Sequence, residues 1–509
     1  MINNLIPLPV LLPLLGAGLT LAMGRRARAQ RFVSTGILGL TVLIAAVLAW
    51  HTDQYGAQKI WLGSWPEPVG IVMVADRLSS LMLLVSTVVA LIVLLFSMGQ
   101  DQDERRRETP LSIYHPTFLI LSAGVSNAFL TGDLFNLFVG FEMLLFASYV
   151  LLTLGGTSDR VRAGTTYLVV NLLSSLLFLV TIAVTYAATG TVNIALLAVR
   201  VAELPGTVQT IIQLLLLTVF GIKAAVFPLS AWLPDSYPTA PAPVTAVFAG
   251  LLTKVGVYAI IRTQTVIFPD RSLSEPLMVL SLLTMLVGIL GAVAQSEIKR
   301  MLSFTLVSHI GYMLFGVSLA TEAGLAGAIF YTAHHITIQT TLFLVTGLIE
   351  RRGGSTSLNE LGGLAAMSPI LGVLFFVPAM NLAGIPPFSG FIGKLGLLRA
   401  GVETGTLLAY ALVAASMLTS LLTLFAVAKV WNRAFWRGVP DQVAGRPGAS
   451  ARARGRRMPR GMVVTAAALV GIGIALSVVA GPLYGFTTRA ASDTYAGHYV
   501  QAILPEGIR

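Results

Sequence analysis

The sequence contains no cysteine and only six histidines among 509 residues. Without cysteine the chain can form no disulfide bond, no thiolate metal site and no cysteine-ligated iron–sulfur cluster. The few scattered histidines leave little material for a redox-metal centre. We therefore expect this chain to bind no metal and no cofactor.

Charged residues are also scarce. They make up 11% of the chain, against 55% hydrophobic residues, and the mean hydropathy is +0.83. Such a composition lacks the polar surface needed for folding in water, so it predicts an integral membrane protein. The first apolar run is followed rather than preceded by basic residues and lacks a cleavage site, which indicates a retained span instead of a signal peptide.

Apolar runs of about 17 to 25 residues, the length that crosses a bilayer, occur fourteen times. They lie near 2–23, 33–50, 78–98, 116–131, 133–153, 165–187, 208–228, 244–265, 276–295, 303–320, 324–349, 368–400, 405–429 and 461–483. The run at 368–400 is too long for one span unless Pro386-Pro387 breaks it. The sequence thus predicts an all-α membrane protein with about 14 transmembrane helices.

The positive charges favour one side of the membrane. Most of the 33 lysines and arginines fall in alternate loops: 24–32, 99–115, 154–164, 296–302, 350–365 and 429–460. These loops are predicted to be cytoplasmic, which places both termini outside. Segment 430–460 is rich in Gly, Pro and Arg and is predicted to be a flexible basic loop. A net charge of +11 could also serve nucleic acid, but no soluble basic domain would carry such a partner, so we expect none.

Four ionisable residues lie inside otherwise apolar runs: Glu142, Lys223, Lys254 and Lys394. At the bilayer centre each costs about 2.5 to 3.5 kcal/mol or more, so together they predict a polar path through the membrane. For Lys254 the alternative is that its amine snorkels to the surface, since Arg262 follows only eight residues later.

Two proline-containing segments interrupt helices, at 228–243 and near 384–390. Broken helices in two parts of a membrane protein indicate a core built from repeats. We predict two inverted five-helix repeats, flanked by three N-terminal helices and by a last helix with a C-terminal tail. The predicted borders are 1–115, 116–265, 266–429, 430–460 and 461–509.

Four segments in fixed order carry a family resemblance: DLFNLFVGFEMLLFASYVLL, KAAVFPLSAWLPDSYPTAPAPVTAVFAGLLTKVGVYAIIR, SEIKRMLSFTLVSHIGYMLFG and LAGIPPFSGFIGKLGLL. They resemble the proton-translocating antiporter family, which complex I and Mrp-type multisubunit sodium/proton antiporters share, and are most similar to its Mrp D-type branch. The resemblance implies a bacterial or archaeal cell membrane and a hetero-oligomeric complex with other Mrp-type subunits. It also implies protons and sodium as the transported ions.

The resemblance further implies that Glu142 pairs with Lys223 and that protons pass through Lys254 and His335 to Lys394. A carboxylate that approaches or leaves a buried lysine changes its proton affinity, which makes the pair a plausible switch. A static ion pair that fixes helix packing is the alternative. By alignment Gln339 stands where many relatives carry a lysine.

Other polar residues have competing interpretations. His334, His335 and His309 could be relay groups or neutral histidines satisfied within the helices. Asp235 could ligate a cation or, as we favour, cap a half-helix, and we expect Asp133 to cap the span that carries Glu142.

Three functions remain open from the sequence: the proton-carrying subunit of an Mrp-type antiporter, a proton-pumping subunit of a redox complex, or a scaffold whose charges are structural. No local cluster of oxygen ligands suits sodium, so we assign the sodium path to a partner subunit or an interface.

Overall fold

The computed structural model describes residues 2–24, 26–65, 70–99, 111–269, 273–438, 440, 458–495 and 497–504. Most of the predicted basic loop, 430–460, therefore lies outside the described residues. Helices account for nearly all of the structure that is described, as the composition predicts.

The N-terminal part comprises three helices and a hairpin. The helices are α1 (Leu8–Ala22), α2 (Ala27–Tyr55) and α3 (Arg77–Met98), preceded by a 3-10 turn at Ile2–Leu5. Between α2 and α3, strand β1 (Gln58–Trp61) pairs antiparallel with β2 (Val72–Ala75), with Gln58 opposite Ala75. The all-α prediction missed this hairpin because neither strand alternates polar and apolar residues: β1 reads QKIW and β2 reads VMVA.

The first block of helices surrounds the first break. It consists of α4 (Leu111–Leu130), α5 (Leu134–Thr153), α6 (Ser158–Thr189), the short α7 (Ile194–Ala202), α8 (Gly206–Ala224), α9 (Trp232–Ser236) and α10 (Ala242–Ile267). The chain leaves α8 at Ala225, which has a left-handed backbone, and reaches α9 through a cis peptide bond at Phe227-Pro228. The predicted break at 228–243 is thus present.

The second block repeats this order. It consists of α11 (Ser274–Ala294), α12 (Ile298–Ser318), α13 (Glu322–Gly353), the short α14 (Leu364–Met367), α15 (Pro369–Ala383), α16 (Ser389–Thr404) and α17 (Leu407–Val430), which continues as a π-helix to Trp436. The chain turns at Gly384, in a left-handed conformation, and passes a cis Pro386-Pro387 bond between α15 and α16. In both blocks the fourth long helix is the broken one. Because each block contains five spans, an odd number, the second enters the membrane from the opposite side, as the inverted-repeat prediction requires.

Three further helices follow the repeats: α18 (Arg460–Val478), α19 (Ala480–Tyr495) and α20 (His498–Ile503). The predicted span at 461–483 is therefore wrong at its end, because the helix stops at Val478, and the expected tail is largely helical. Among the described residues, eleven helices are long and apolar enough to cross a membrane. With α4, α13 and the broken pair α15/α16, the total agrees with the predicted fourteen spans.

Polar N-caps start several of these helices. The carboxylate of Asp133 accepts the backbone N–H of Asn136 at 2.9 Å, so the predicted cap of α5 is confirmed. Threonine hydroxyls do the same for α6, α13 and α17: Thr157, Thr321 and Thr406.

The interior is formed by α10, α12 and α13, which other helices surround. The apolar stretch of α10 is fully buried inside the protein, and 94% of the apolar stretch of α12 is buried. Helix α10 contains two π-helical turns, Phe248–Leu252 and Thr263–Ile267. π turns are rare and frequently occur at functional sites, so α10 is a candidate to carry the function.

A buried ion pair ties α3 to α10. Arg262 Nη2 lies 2.5 Å from Asp76 Oδ1, both side chains are at most 5% exposed, and the guanidinium also lies over the ring of Tyr499 at 4.8 Å. Arg262 Nε donates to the hydroxyl of Tyr258, which in turn donates to the Phe129 carbonyl. This network joins helices outside the repeats to the first block.

We expect Asp76→Ala to destabilise the folded chain by about 3 to 5 kcal/mol, because it leaves the buried guanidinium of Arg262 unpaired. The measurement is the thermal midpoint of the detergent-solubilised protein, followed by fluorescence-detected size exclusion. Glu403→Ala is the matched control, since its pair with Arg399 is exposed and such pairs contribute about 0 to 1 kcal/mol. Equal midpoints for the two variants would contradict an anchoring role for Asp76.

Candidate functional site

Lys223 lies in the last turn of α8, immediately before the first break. Its buried Nζ donates to Ser175 Oγ on α6 at 3.1 Å and lies 5.0 Å from the centre of the Phe141 ring. A small pocket beside it is lined by Tyr167, Asn171 and Trp232, among others. The amine is thus held by a hydroxyl and an aromatic face, in a place where the broken helix leaves room.

Glu142 is on α5, next to Phe141 in the chain. Its Oε1 is buried and has no hydrogen-bond partner among the described residues. Its charge acts on Lys223, but its carboxylate oxygens lie further from Lys223 Nζ than the 4.0 Å that defines an ion pair. The permanently closed ion pair considered from the sequence is therefore not present, and the carboxylate and the amine lie near each other without contact.

Lys254 is fully buried on α10. Its Nζ donates to the Ala249 carbonyl at 2.5 Å, which points the side chain toward the N-terminal end of the helix and away from Arg262. The snorkelling alternative for Lys254 is thus wrong. Helix α10 also contacts α8 closely, because a Cβ added at Gly256 would lie 2.7 Å from the Ala224 nitrogen.

Five aromatic side chains on α12 and α13 form a buried group, here called the histidine cluster: His309, Tyr312, Tyr331, His334 and His335. The Tyr331 hydroxyl lies 2.8 Å from His309 Nδ1, and the rings of His309 and His335 are 5.2 Å apart. Neither ring nitrogen of His335 has a hydrogen-bond partner in the described part of the chain. An imidazole with both nitrogens free is unusual in a protein interior, where polar groups are normally paired.

Lys394 closes the cluster at the second break. Its Nζ donates to the carbonyls of Leu382 and Ala383, each at 3.1 Å, at the C-terminal end of α15. It also lies 4.8 Å from the centre of the Tyr312 ring. The charges of Lys254 and Lys394 both act on His335 and His309, so the cluster lies within electrostatic reach of both amines.

The two adjacent histidines have different surroundings. His334 Nδ1 lies 2.9 Å from Ser389 Oγ, at the first residue of α16. The ring of His335 instead lies beside that of His309. The structure therefore places His334 at the second break and His335 beside His309, within electrostatic reach of Lys254 and Lys394.

Two other predicted residues differ in outcome. Gln339 lies one turn after His335 and donates from Nε2 to the Leu302 carbonyl at 2.8 Å, while its Oε1 has no partner among the described residues. Asp235 is exposed and pairs with Arg300 at 2.9 Å, so it neither caps a half-helix nor belongs to the site. The capping prediction for Asp235 is wrong because α9 begins before it and its carboxylate turns toward the basic start of α12.

Sequence reasoning missed several residues at this site. Ser175, the partner of Lys223, is the second of two adjacent serines in α6 and gives no recognisable pattern. Tyr331 and Tyr312 could have been found, because they stand one turn from His335 and His309, on the same helix faces.

A fourth buried lysine, Lys299, pairs with Glu350 at 2.7 Å, but Lys223, Lys254 and Lys394 have no carboxylate within ion-pair distance in the described residues. Burial disfavours the charged form of such an amine, so it can release a proton to a neighbouring acceptor. Amines and imidazoles arranged one after another along a path can therefore pass protons, provided that side-chain motion or water connects neighbouring groups. The fold and site define a polytopic membrane protein with two broken helices and a buried row of basic groups between them.

Residues 131–423 match the model of the family described as NADH:quinone oxidoreductase/Mrp antiporter, transmembrane. This match covers more than half of the chain, and the chain belongs to that family.

Individual relatives and solved structures agree with this family. The chain is 42% identical to the D-type subunit of the Na(+)/H(+) antiporter of Alkalihalophilus pseudofirmus, over 85% of this chain and 87% of the relative. A chain of the Mrp complex from a Dietzia species superimposes with a TM-score of 0.90 at 34% identity, covering 99% of this chain and 100% of that one. A chain of the membrane-bound sulfane sulfur reductase, an archaeal respiratory membrane complex, gives a TM-score of 0.87 at 27% identity, covering 98% and 99%. The likeness thus extends over the whole fold.

Proposed function

We propose that this chain is the proton-translocating subunit of a multisubunit sodium/proton antiporter of the Mrp type. Protons pass between the first break and the second through Glu142, Lys223, Lys254, His335 and Lys394, with His309 and His334 as secondary groups. The observation that carries the proposal is the buried row of lysines and histidines, in which no lysine is neutralised by a described carboxylate.

In this proposal Glu142 controls Lys223. When the carboxylate approaches, the ammonium form is stabilised. When it withdraws, only the Ser175 hydroxyl and the Phe141 ring remain, and these neutral groups cannot compensate a buried positive charge. The proton then leaves Lys223 toward Lys254, and His335 and His309 carry it to Lys394. From Lys223 onward, each step moves one proton from a protonated nitrogen to a neutral one.

Sodium is assigned to other parts of the complex. The polar groups of the path are mainly amines and imidazoles, which do not ligate sodium as carboxylate and carbonyl oxygens do. We therefore propose that other Mrp-type subunits supply the sodium path and that the chain, a transporter subunit, holds no redox centre. We propose that the complex lies in the bacterial or archaeal cell membrane, with both termini of this chain outside.

The composition of the complex purified through a tag on this chain tests the assignment. We expect small membrane subunits and sodium-dependent proton exchange after reconstitution. The second candidate function is a proton-pumping subunit of a redox complex. Its support is the likeness to the archaeal respiratory complex and the fact that the family includes NADH:quinone oxidoreductases. Iron–sulfur or flavin subunits in the purified complex would establish that second function instead.

His335 is expected to relay protons by titration. His335→Ala should slow exchange about a hundredfold, the lower end of the range for a lost proton-transfer group. His335→Lys should restore part of the rate with a shifted pH optimum. The measurement is the pH profile of sodium-dependent exchange in membrane vesicles.

Gln339→Lys provides the discriminating variant. It places an amine one helical turn from position 335, where the Gln339 Oε1 has no partner among the described residues, and should partly rescue His335→Ala. A packing role for the imidazole predicts no such rescue. Identical pH profiles in all three variants would mean that water alone connects Lys254 to Lys394.

A further inference from the structure

The second half-helix, α16, starts without a cap of its own. Its N-cap residue is Phe388, which has no side-chain acceptor for the first backbone N–H groups. Such groups must find partners, since a buried unpaired N–H is costly. In α16 they find them on other helices.

Two side chains accept these first N–H groups. The Ser389 N–H donates to Ser477 Oγ at 2.8 Å, and the Gly390 N–H donates to Asn381 Oδ1 at 2.9 Å. Asn381 belongs to α15, the other half of the broken helix, whereas Ser477 belongs to α18, which lies outside both repeats. The start of the helix that carries Lys394 is thus capped in part by a helix that is not in the repeat.

The Ser477 hydroxyl is oriented for this task. Its proton is donated to the Gly473 carbonyl one turn earlier, at 3.2 Å, which leaves its lone pair for the Ser389 N–H. Thr284 does the same at the first break: it donates to the Leu280 carbonyl and accepts the Phe227 N–H at 3.2 Å. Both breaks therefore present a backbone N–H to a hydroxyl of a neighbouring helix.

The cap lies on a short path to the site. Ser389, whose N–H is held by Ser477, contacts His334 through its own hydroxyl, and Lys394 is little more than one turn further along α16. Lys394 in turn binds the carbonyls that end α15. Rotation or displacement of the α16 start would therefore move Lys394 relative to the carbonyls that hold its amine.

We propose that Ser477 is a positioning residue for Lys394, through which the last long helix, α18, fixes the second break. This inference rests on the function proposed above for Lys394. Ser477 itself carries no proton along the path; its hydroxyl sets where the half-helix begins.

The test is sodium-dependent proton exchange by the full complex in membrane vesicles. Ser477→Ala should lower the rate about fivefold, the factor for the loss of a cap worth about 1 kcal/mol, and should shift the pH profile because Lys394 is no longer held in place. Ser477→Thr keeps the hydroxyl and should restore both rate and profile. Thr465→Ala is the matched control on the same helix, because that hydroxyl only donates to carbonyls of its own helix and should be dispensable.

The outcomes separate this inference from the proposed function. If Lys394→Ala stops exchange while Ser477→Ala leaves rate and pH profile unchanged, the positioning role is wrong and the proton path stands. If Lys394→Ala also leaves exchange unchanged, the proposed path itself fails. A loss in Ser477→Ala that the threonine variant does not restore would also overturn the positioning role, because the hydroxyl would not be the group that matters.

Discussion

Sodium-dependent proton exchange is expected to fall to background in Lys223→Ala, and in Glu142→Gln, while the complex still assembles. Lys223→Ala removes the first amine of the path, and Glu142→Gln removes the carboxylate that controls it. Neither the Ser175 hydroxyl nor the Phe141 ring can take up a proton in place of the Lys223 amine. The measurement is exchange in inverted membrane vesicles, with the amount of assembled complex determined in the same membranes.

Assembly must be measured because the replacement of a buried charged residue can also destabilise the folded protein. Lys59→Ala is a suitable control: this lysine also donates to a backbone carbonyl, that of Ile503, but lies in the hairpin and away from the path. Near-normal exchange in either Lys223→Ala or Glu142→Gln would refute the switch. Lost exchange with intact assembly would exclude the scaffold interpretation.

Arginine in place of Lys394 is expected to reduce exchange to background, as alanine does. The guanidinium can donate to the Leu382 and Ala383 carbonyls, so Lys394→Arg preserves the positive charge and much of the hydrogen bonding. It cannot release its proton at any attainable pH, however. The variant therefore separates a fixed charge from a proton carrier.

Exchange rates measured across the full pH range show whether Lys394 is a proton carrier or a fixed charge. Lys429→Arg is the matched control, because Lys429 also donates to two backbone carbonyls, those of Val293 and Gln295, but at the basic end of α17. Wild-type turnover in Lys394→Arg would make Lys394 a fixed electrostatic element, and the path would have to end at another group.

Much of the architecture followed from the sequence because membrane-spanning helices must satisfy their backbone internally and be long enough to cross the bilayer. Both breaks were predicted from their clustered prolines, since each proline removes a helical hydrogen bond and crowds the preceding turn. The hairpin at Gln58–Trp61 and Val72–Ala75 was missed because it lies between spans, where hydropathy carries little information.

The candidate site was predicted in part. Lys223, Lys254, Lys394 and Glu142 were identified because they lie inside apolar runs, where a charged residue is costly and usually has a function. The contacts made by Ser175 and Ser477 could not be predicted, since these two serines become relevant only through contacts between distant helices. Asp235 shows the converse case: a proline-rich context suggested a cap, while the actual partner, Arg300, is 65 residues away.

The π turn at Phe248–Leu252 has a consequence for how this protein can change during evolution. A π turn holds one residue more than an α turn, and one residue corresponds to a rotation of about 100°. Deleting a single apolar residue there would convert the turn to regular α-helix, leave the hydropathy of α10 nearly unchanged, and rotate Lys254 relative to Ala242–Val247. The orientation of Lys254 thus depends on chain length in this segment, so sequence comparisons across it must count insertions and deletions as well as substitutions.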